Sequence, residues 1–186
     1  MKKNKIVPLV LLHVVAFFIH KSSICFIILY FARFVKINKW YWIIATTGIV
    51  LAFVFKSQMM SLLGTVMGYD QYIDQFEGAG TYKFTFFLMA IYVLTMITYH
   101  TLPKNIDTHY SAVALTLAVF FTPLTYADPN AMRVVQYFSV FMMILVPRMI
   151  KSFNPKLQVV AKMASYGVLV VALIISNPQY SFVFMA

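Results

Sequence analysis

Negative charge is nearly missing from this sequence. Five acidic residues stand against fifteen Lys and Arg. None of the five lies inside an apolar run, which argues against an ion-coupled transporter or an intramembrane proton relay. Cysteine is reduced to Cys25, which sits within an apolar segment, excludes an internal disulfide and reads as packing. No glycine-rich phosphate loop, zinc-ligand spacing or Ser-His-Asp arrangement is readable, so no metal and no cofactor are expected. Alternating strand patterns are not visible either, which leaves helices as the expected structure.

Apolar side chains dominate instead. They make up 62% of the 186 residues, charged ones 11%, and the mean hydropathy is +0.82. Polar groups this sparse cannot cover a water-facing surface. The expected fold class is therefore all-α, a polytopic membrane helical bundle with the lipid bilayer as its first partner. The formal charge of +10 would suggest nucleic acid in a soluble protein. Here the basic residues fall in short connections between apolar runs, as the positive-inside rule expects, so no nucleic acid is expected.

The apolar run from Ile6 to Phe34 is interrupted by Phe17-Phe18-Ile19-His20-Lys21-Ser22-Ser23. The N-terminal Met1-Lys2-Lys3-Asn4-Lys5 superficially looks like a signal peptide. No small-residue cleavage site follows and Lys21 interrupts the run, so a retained segment is expected. Pro8 can occupy a first helical turn, and a helix from Ile6 to Ile19 reaches only about 20 Å, short of the roughly 30 Å hydrocarbon core. One long helix burying His20 and Lys21 competes with a hairpin of two short helices turning at His20-Lys21-Ser22. Charge decides: with Lys2, Lys3 and Lys5 cytoplasmic, a hairpin returns Arg33, Lys36 and Lys39 to the same side.

Downstream of hairpin 6–34, spans are expected at about 40–55, 84–101, 109–126, 131–150 and 157–175, about seven hydrophobic helices in one domain, 1–186. Trp40-Tyr41-Trp42 reads as an inner aromatic belt. Asp107 or Thr108 is expected to cap the helix that follows, and Asp128-Pro129 and Asn154-Pro155 read as cap-and-proline starts. The long polar excursion 56–83 holds Asp70, Asp74 and Glu77, and ends near Gly78 and Gly80. In this scheme four of the five acids face outward, the N-terminus is cytoplasmic and the C-terminus outside.

Nearly every polar candidate lands on the outer side. His20 and Lys21 sit at the hairpin tip, where a tight turn between helices also asks for polar residues. His13 shares a helical face with His20; it is an intramembrane candidate or a histidine bonded to a nearby carbonyl. Arg133, with Tyr137 at i+4, can hold a phosphate with its planar fork, or pair with Asp128. Tyr69 and Tyr72 can stack on sugar rings and Asp70 can act as a base, while a solvated loop explains the same residues. His100 and His109 read as interfacial.

The stretch Phe17 to Ser23, continuing as an apolar helix with Tyr30, resembles the Phe-His-Lys-Ser segment of EpsG-type membrane proteins, relatives of the Wzy polysaccharide polymerases. Arg133-Val-Val-Gln-Tyr137-Phe138, Leu145-Val-Pro147 and Tyr180-Ser-Phe182 are similar to that family's C-terminal pattern. The likeness covers essentially all of this chain and about the C-terminal half of the family, which implies a partial or truncated member. It implies, in a bacterial cytoplasmic membrane, a glycosyltransferase-type polymerase that joins polyprenyl-diphosphate-linked oligosaccharide units for exopolysaccharide or capsule. On that basis His20 or Asp70 is the base, Lys21 and Arg133 bind the diphosphate, and Tyr69, Tyr72 and Tyr137 line the sugar path. Two other classes remain open: a non-catalytic scaffold subunit working with other polysaccharide-assembly membrane proteins, and a membrane acyltransferase.

Overall fold

In a computed structural model of the chain, residues 15, 18, 26–59, 61, 82–126 and 131–175 are described; within the last stretch, the side chains of 168, 169 and 171–175 are left aside. Every regular element among the described residues is helical. They are α1 (Ile27–Phe31), continued by a 3-10 turn Ala32–Phe34; α2 (Lys39–Val54); α3 (Tyr82–Thr98), continued by Tyr99–Thr101; α4 (Ile106–Phe121), continued by Thr122–Tyr126; α5 (Ala131–Ser139); α6 (Met142–Ser152); and α7 (Pro155–Ile175). The hairpin turn at 20–23, the loop segment 62–81, Asp128-Pro129 and the tail from 176 lie outside the described residues.

Asparagines start two of these helices. Asn38, in extended conformation, accepts the Tyr41 N–H at 2.9 Å to open α2, and Asn105 accepts the Thr108 N–H at 2.9 Å to open α4. The α4 cap is thus Asn105 rather than Asp107 or Thr108: Asp107 lies in the first turn, and the Thr108 hydroxyl donates to Asn105 at 2.8 Å. Pro155 opens α7, where its missing N–H is no loss. Pro123 removes a ladder donor, and α4 tightens there into 3-10 geometry.

The continuous helix expected over 131–150 is two helices, α5 and α6, bent by 41° at their junction. The backbone shows why. Met143 N–H bonds Val140 and Ile144 N–H bonds Phe141, both three residues back, so the Ser139 carbonyl drops out of the α ladder. Pro147 withholds a further donor one turn later.

α4 is the centre of the bundle. Thr108, Ser111 to Thr116, Ala118 and Val119 are buried, and α2, α3, α5 and α6 pack around it. Its alanines permit close helix approach. Several buried hydroxyls are satisfied within the bundle: Thr95, Thr98, Thr116 and Thr122 donate to the carbonyl four residues back, and Tyr41 donates to Thr116 at 2.8 Å, whereas among the described residues Ser111 Oγ is buried without a partner. The outer surface is the reverse of a soluble protein's, with Phe86, Met143, Trp40 and Ile44 all at least 69% exposed. By length and composition Tyr82–Thr101 is long and apolar enough to cross a bilayer, and the bent pair α5–α6 counts as a second if taken as one span.

The aromatic belt expected at 40–42 is divided. Trp40 is exposed, but Trp42 is buried against Tyr92 and Tyr99, with ring centroids 5.6 and 5.7 Å away, and so packs the core.

One end of the bundle gathers Arg33, Lys36, Lys39, Lys104, Arg148, Lys151 and Lys156. Two ties draw it together. His109 Nε2 lies 2.8 Å from the Ala32 carbonyl. Arg148 donates to Asn105 Oδ1 and Thr108 Oγ1 at 2.9 Å each, and to Asp107 Oδ2 at 3.0 Å. Because Asp107 is 60% exposed, its ion pair is screened, and the neutral acceptors carry most of the tie. Arg148→Met is expected to cost about 1–3 kcal/mol and Asp107→Asn less than about 1 kcal/mol. Thermal unfolding of both variants in detergent checks this; equal shifts would contradict it.

Candidate functional site

α5 carries the two candidate residues that fall among those described. Arg133 is exposed and makes no ion pair or hydrogen bond among the described residues. Tyr137, one turn on and on the same face, is half-buried. Phe26 packs on it, with their ring centroids 5.5 Å apart. Phe26 also meets Phe138 at 6.3 Å, and Phe138, wholly buried, stacks on Phe121 of α4 at 5.9 Å. Two segments, the one that carries Phe26 and α4, therefore converge on α5.

The contact with Phe26 matters because that residue follows Ser23 by three positions. His20 and Lys21 lie outside the described residues, as do Tyr69, Asp70 and Tyr72. The described end of their segment is nonetheless docked on the helix that bears Arg133. Short helices and breaks at membrane depth are tolerated where the irregular backbone is buried in protein or lines a cavity. The α5–α6 junction has that character, with Ser139 buried and its hydroxyl donating to the Gln136 carbonyl at 3.1 Å.

A second group of side chains meets at this end. Tyr126, at the close of α4, has Tyr82 of α3 at 4.9 Å and Phe53 of α2 at 6.2 Å, centroid to centroid, with Lys56 Nζ 5.5 Å above its ring. Sequence reasoning passed over Tyr82, Tyr126 and Lys56. Their signal was present, as aromatic or basic residues at the ends of three apolar runs, but nothing in the chain says that those ends meet. No group of three or more His, Cys, Asp or Glu that could hold a metal occurs among the described residues.

In chemical terms, α5 carries an exposed planar cation and, one helical turn on, a tyrosine, residue types suited to a phosphate attached to a sugar. Comparison with known proteins bears on this directly. The EpsG family's sequence profile matches residues 1–184. The chain belongs to the EpsG family. This is a polysaccharide-polymerase type of family, its proteins are membrane proteins, and it implies a polyprenyl-linked oligosaccharide as substrate. Neither a curated protein nor a solved structure matches the chain. The EpsG-like segments Arg133 to Phe138 and Leu145 to Pro147 fall on either side of the 41° bend, on α5 and α6 respectively.

Proposed function

We propose that this EpsG-family chain takes part in polymerising polyprenyl-diphosphate-linked oligosaccharide units at the outer face of the bacterial cytoplasmic membrane. The observation that carries the reading is the packing of Phe26 on Tyr137. It joins the segment that follows His20-Lys21-Ser22-Ser23 in the chain to the helix that holds Arg133, which supports a site shared between them.

A hydroxyl of one unit attacks the anomeric carbon of another, a new glycosidic C–O bond forms, and the bond to the polyprenyl diphosphate breaks. The attacking hydroxyl's proton goes to a base, His20 or Asp70, and the departing diphosphate takes the electron pair. Lys21 and Arg133 stabilise the charge developing on it. Tyr69, Tyr72 and Tyr137 supply ring faces for the sugars. No step calls for a metal or cofactor.

In this reading the chain forms one bundle of about seven membrane helices, with hairpin 6–34 turning outside. The end bearing Arg33, Lys36, Lys39, Lys104, Arg148, Lys151 and Lys156 faces the cytoplasm, as positive-inside bias requires. The opposite end, with Arg133, Lys56 and Lys83, faces out. His20→Ala and Arg133→Ala, made separately in cells that depend on the protein for polymer, are expected to abolish the high-molecular-weight ladder. Unchanged ladders at normal protein levels would sink the assignment.

A further inference from the structure

Joining two diphosphate-linked units requires that both be held at once. One diphosphate leaves and the other stays attached to the accepting unit, so the chemistry calls for two anion sites, each with room for a lipid tail. Arg133 and Lys21 serve one. A shallow, wholly apolar groove of about 250 Å³ runs along α2 against α4, lined by Gly48, Leu51, Ala52, Phe55, Met59 and Phe120. Lys56 follows Phe55 directly, beside the part of the groove that Phe55 and Met59 line. Its side chain is exposed, no carboxylate pairs with it among the described residues, and its ammonium lies over Tyr126. Tyr82, 64% exposed, adds a ring with little protein over it.

An apolar channel, a single cation and aromatic rings thus adjoin one another. A prenyl diphosphate glycan offers the matching parts: hydrocarbon, anion, and a sugar whose C–H face stacks on rings. Interfacial tyrosines and a snorkelling lysine are common at membrane boundaries. A boundary role alone, however, gives no reason for an apolar groove to pass beside the lysine or for three helix ends to meet at Tyr126. Resting on the polymerase reading, we propose that Lys56, the α2–α4 groove, Tyr82 and Tyr126 form a second subsite. It holds the accepting unit by its retained diphosphate, its prenyl tail lying in the groove.

Gly48 gives the means to close the groove without touching the cation. A Cβ there would meet only the Phe120 ring, at 3.8 Å, an ordinary contact. Gly48→Ala should therefore be tolerated, whereas Gly48→Leu fills the channel. The full chain in nanodiscs is titrated with farnesyl diphosphate and read by native mass spectrometry, with farnesol as the uncharged control. Wild type is expected to bind two molecules of the diphosphate. Lys56→Gln should weaken one of them roughly tenfold, Gly48→Leu should remove that one, and Lys56→Arg and Gly48→Ala should retain both. Arg133→Gln should weaken the other.

A single bound molecule that is lost in Arg133→Gln but kept in Lys56→Gln and Gly48→Leu would overturn the subsite and leave the polymerase reading standing. Absence of any diphosphate binding to wild type would overturn both. Circular dichroism of each variant, together with the tolerated Lys56→Arg and Gly48→Ala, separates lost binding from lost folding.

Discussion

Arg133→Ala is expected to lower the rate of polymer formation about 10²–10³-fold, the usual loss when one preorganised donor to developing charge is removed. Arg133→Lys should recover only a minor part of it. A guanidinium presents two parallel N–H groups to two phosphate oxygens, and an ammonium acts as a point charge on a flexible stem. The structure makes the test clean. Arg133 is exposed and makes no hydrogen bond or ion pair among the described residues, so its removal orphans no described partner. A change in folding stability within about 0.5 kcal/mol is expected for such a position. Quantified polymer at matched protein levels is the measurement. Full activity in the lysine variant would show that charge alone suffices, and full activity in the alanine variant would remove Arg133 from the site.

Helices were legible because apolar runs bounded by asparagine, proline and charge leave the backbone little else to do in a bilayer. Asn154-Pro155 announced the start of α7, and Pro155 is its first residue. Where local signals competed, the sequence could not rank them. Asn105, Asp107 and Thr108 can all cap, and the choice fell to the one held in extended backbone, two residues beyond Pro103. Trp42 reads as a boundary residue from its neighbours, yet it is buried because Tyr92 and Tyr99 of another helix cover it. Pro147 lies inside a helix expected to be continuous, and the 41° bend draws on its missing donor together with 3-10 bonding at 140–144, for which no residue gives a signal.

The same division runs through the site. Arg133 and Tyr137 share a face by spacing alone, which any helical reading shows. Their neighbours come from elsewhere: Phe26 from within the apolar run 6–34, and Phe121 from α4. Lys56, Tyr82 and Tyr126 are ordinary boundary residues until three helix ends are brought to one point. Tertiary contact between apolar segments depends on shape complementarity, since lipid is as apolar as the helix faces themselves. One-dimensional hydropathy carries no record of that shape.

Phe138 is where this dependence on shape should cost most. It has no solvent exposure, stacks on Phe121 at 5.9 Å and meets Phe26 at 6.3 Å, so one ring joins α4, α5 and the segment that leads into α1. Moving an apolar ring from lipid to protein gains little, so what Phe138 supplies is close packing, and truncation leaves a void whose walls lose their contacts outright. Phe138→Ala is expected to cost about 3 kcal/mol, at the lower end of the range for buried phenylalanine. Phe138→Leu, which keeps much of the volume, should cost about 1 kcal/mol. Thermal unfolding in detergent ranks the two. A second consequence separates this residue from an ordinary core position. With its support gone, Phe26 is no longer held against Tyr137, so polymer formation should fall further than the loss of folded protein explains. An alanine variant whose activity per folded molecule equals wild type would show that the Phe26 contact does not position the site.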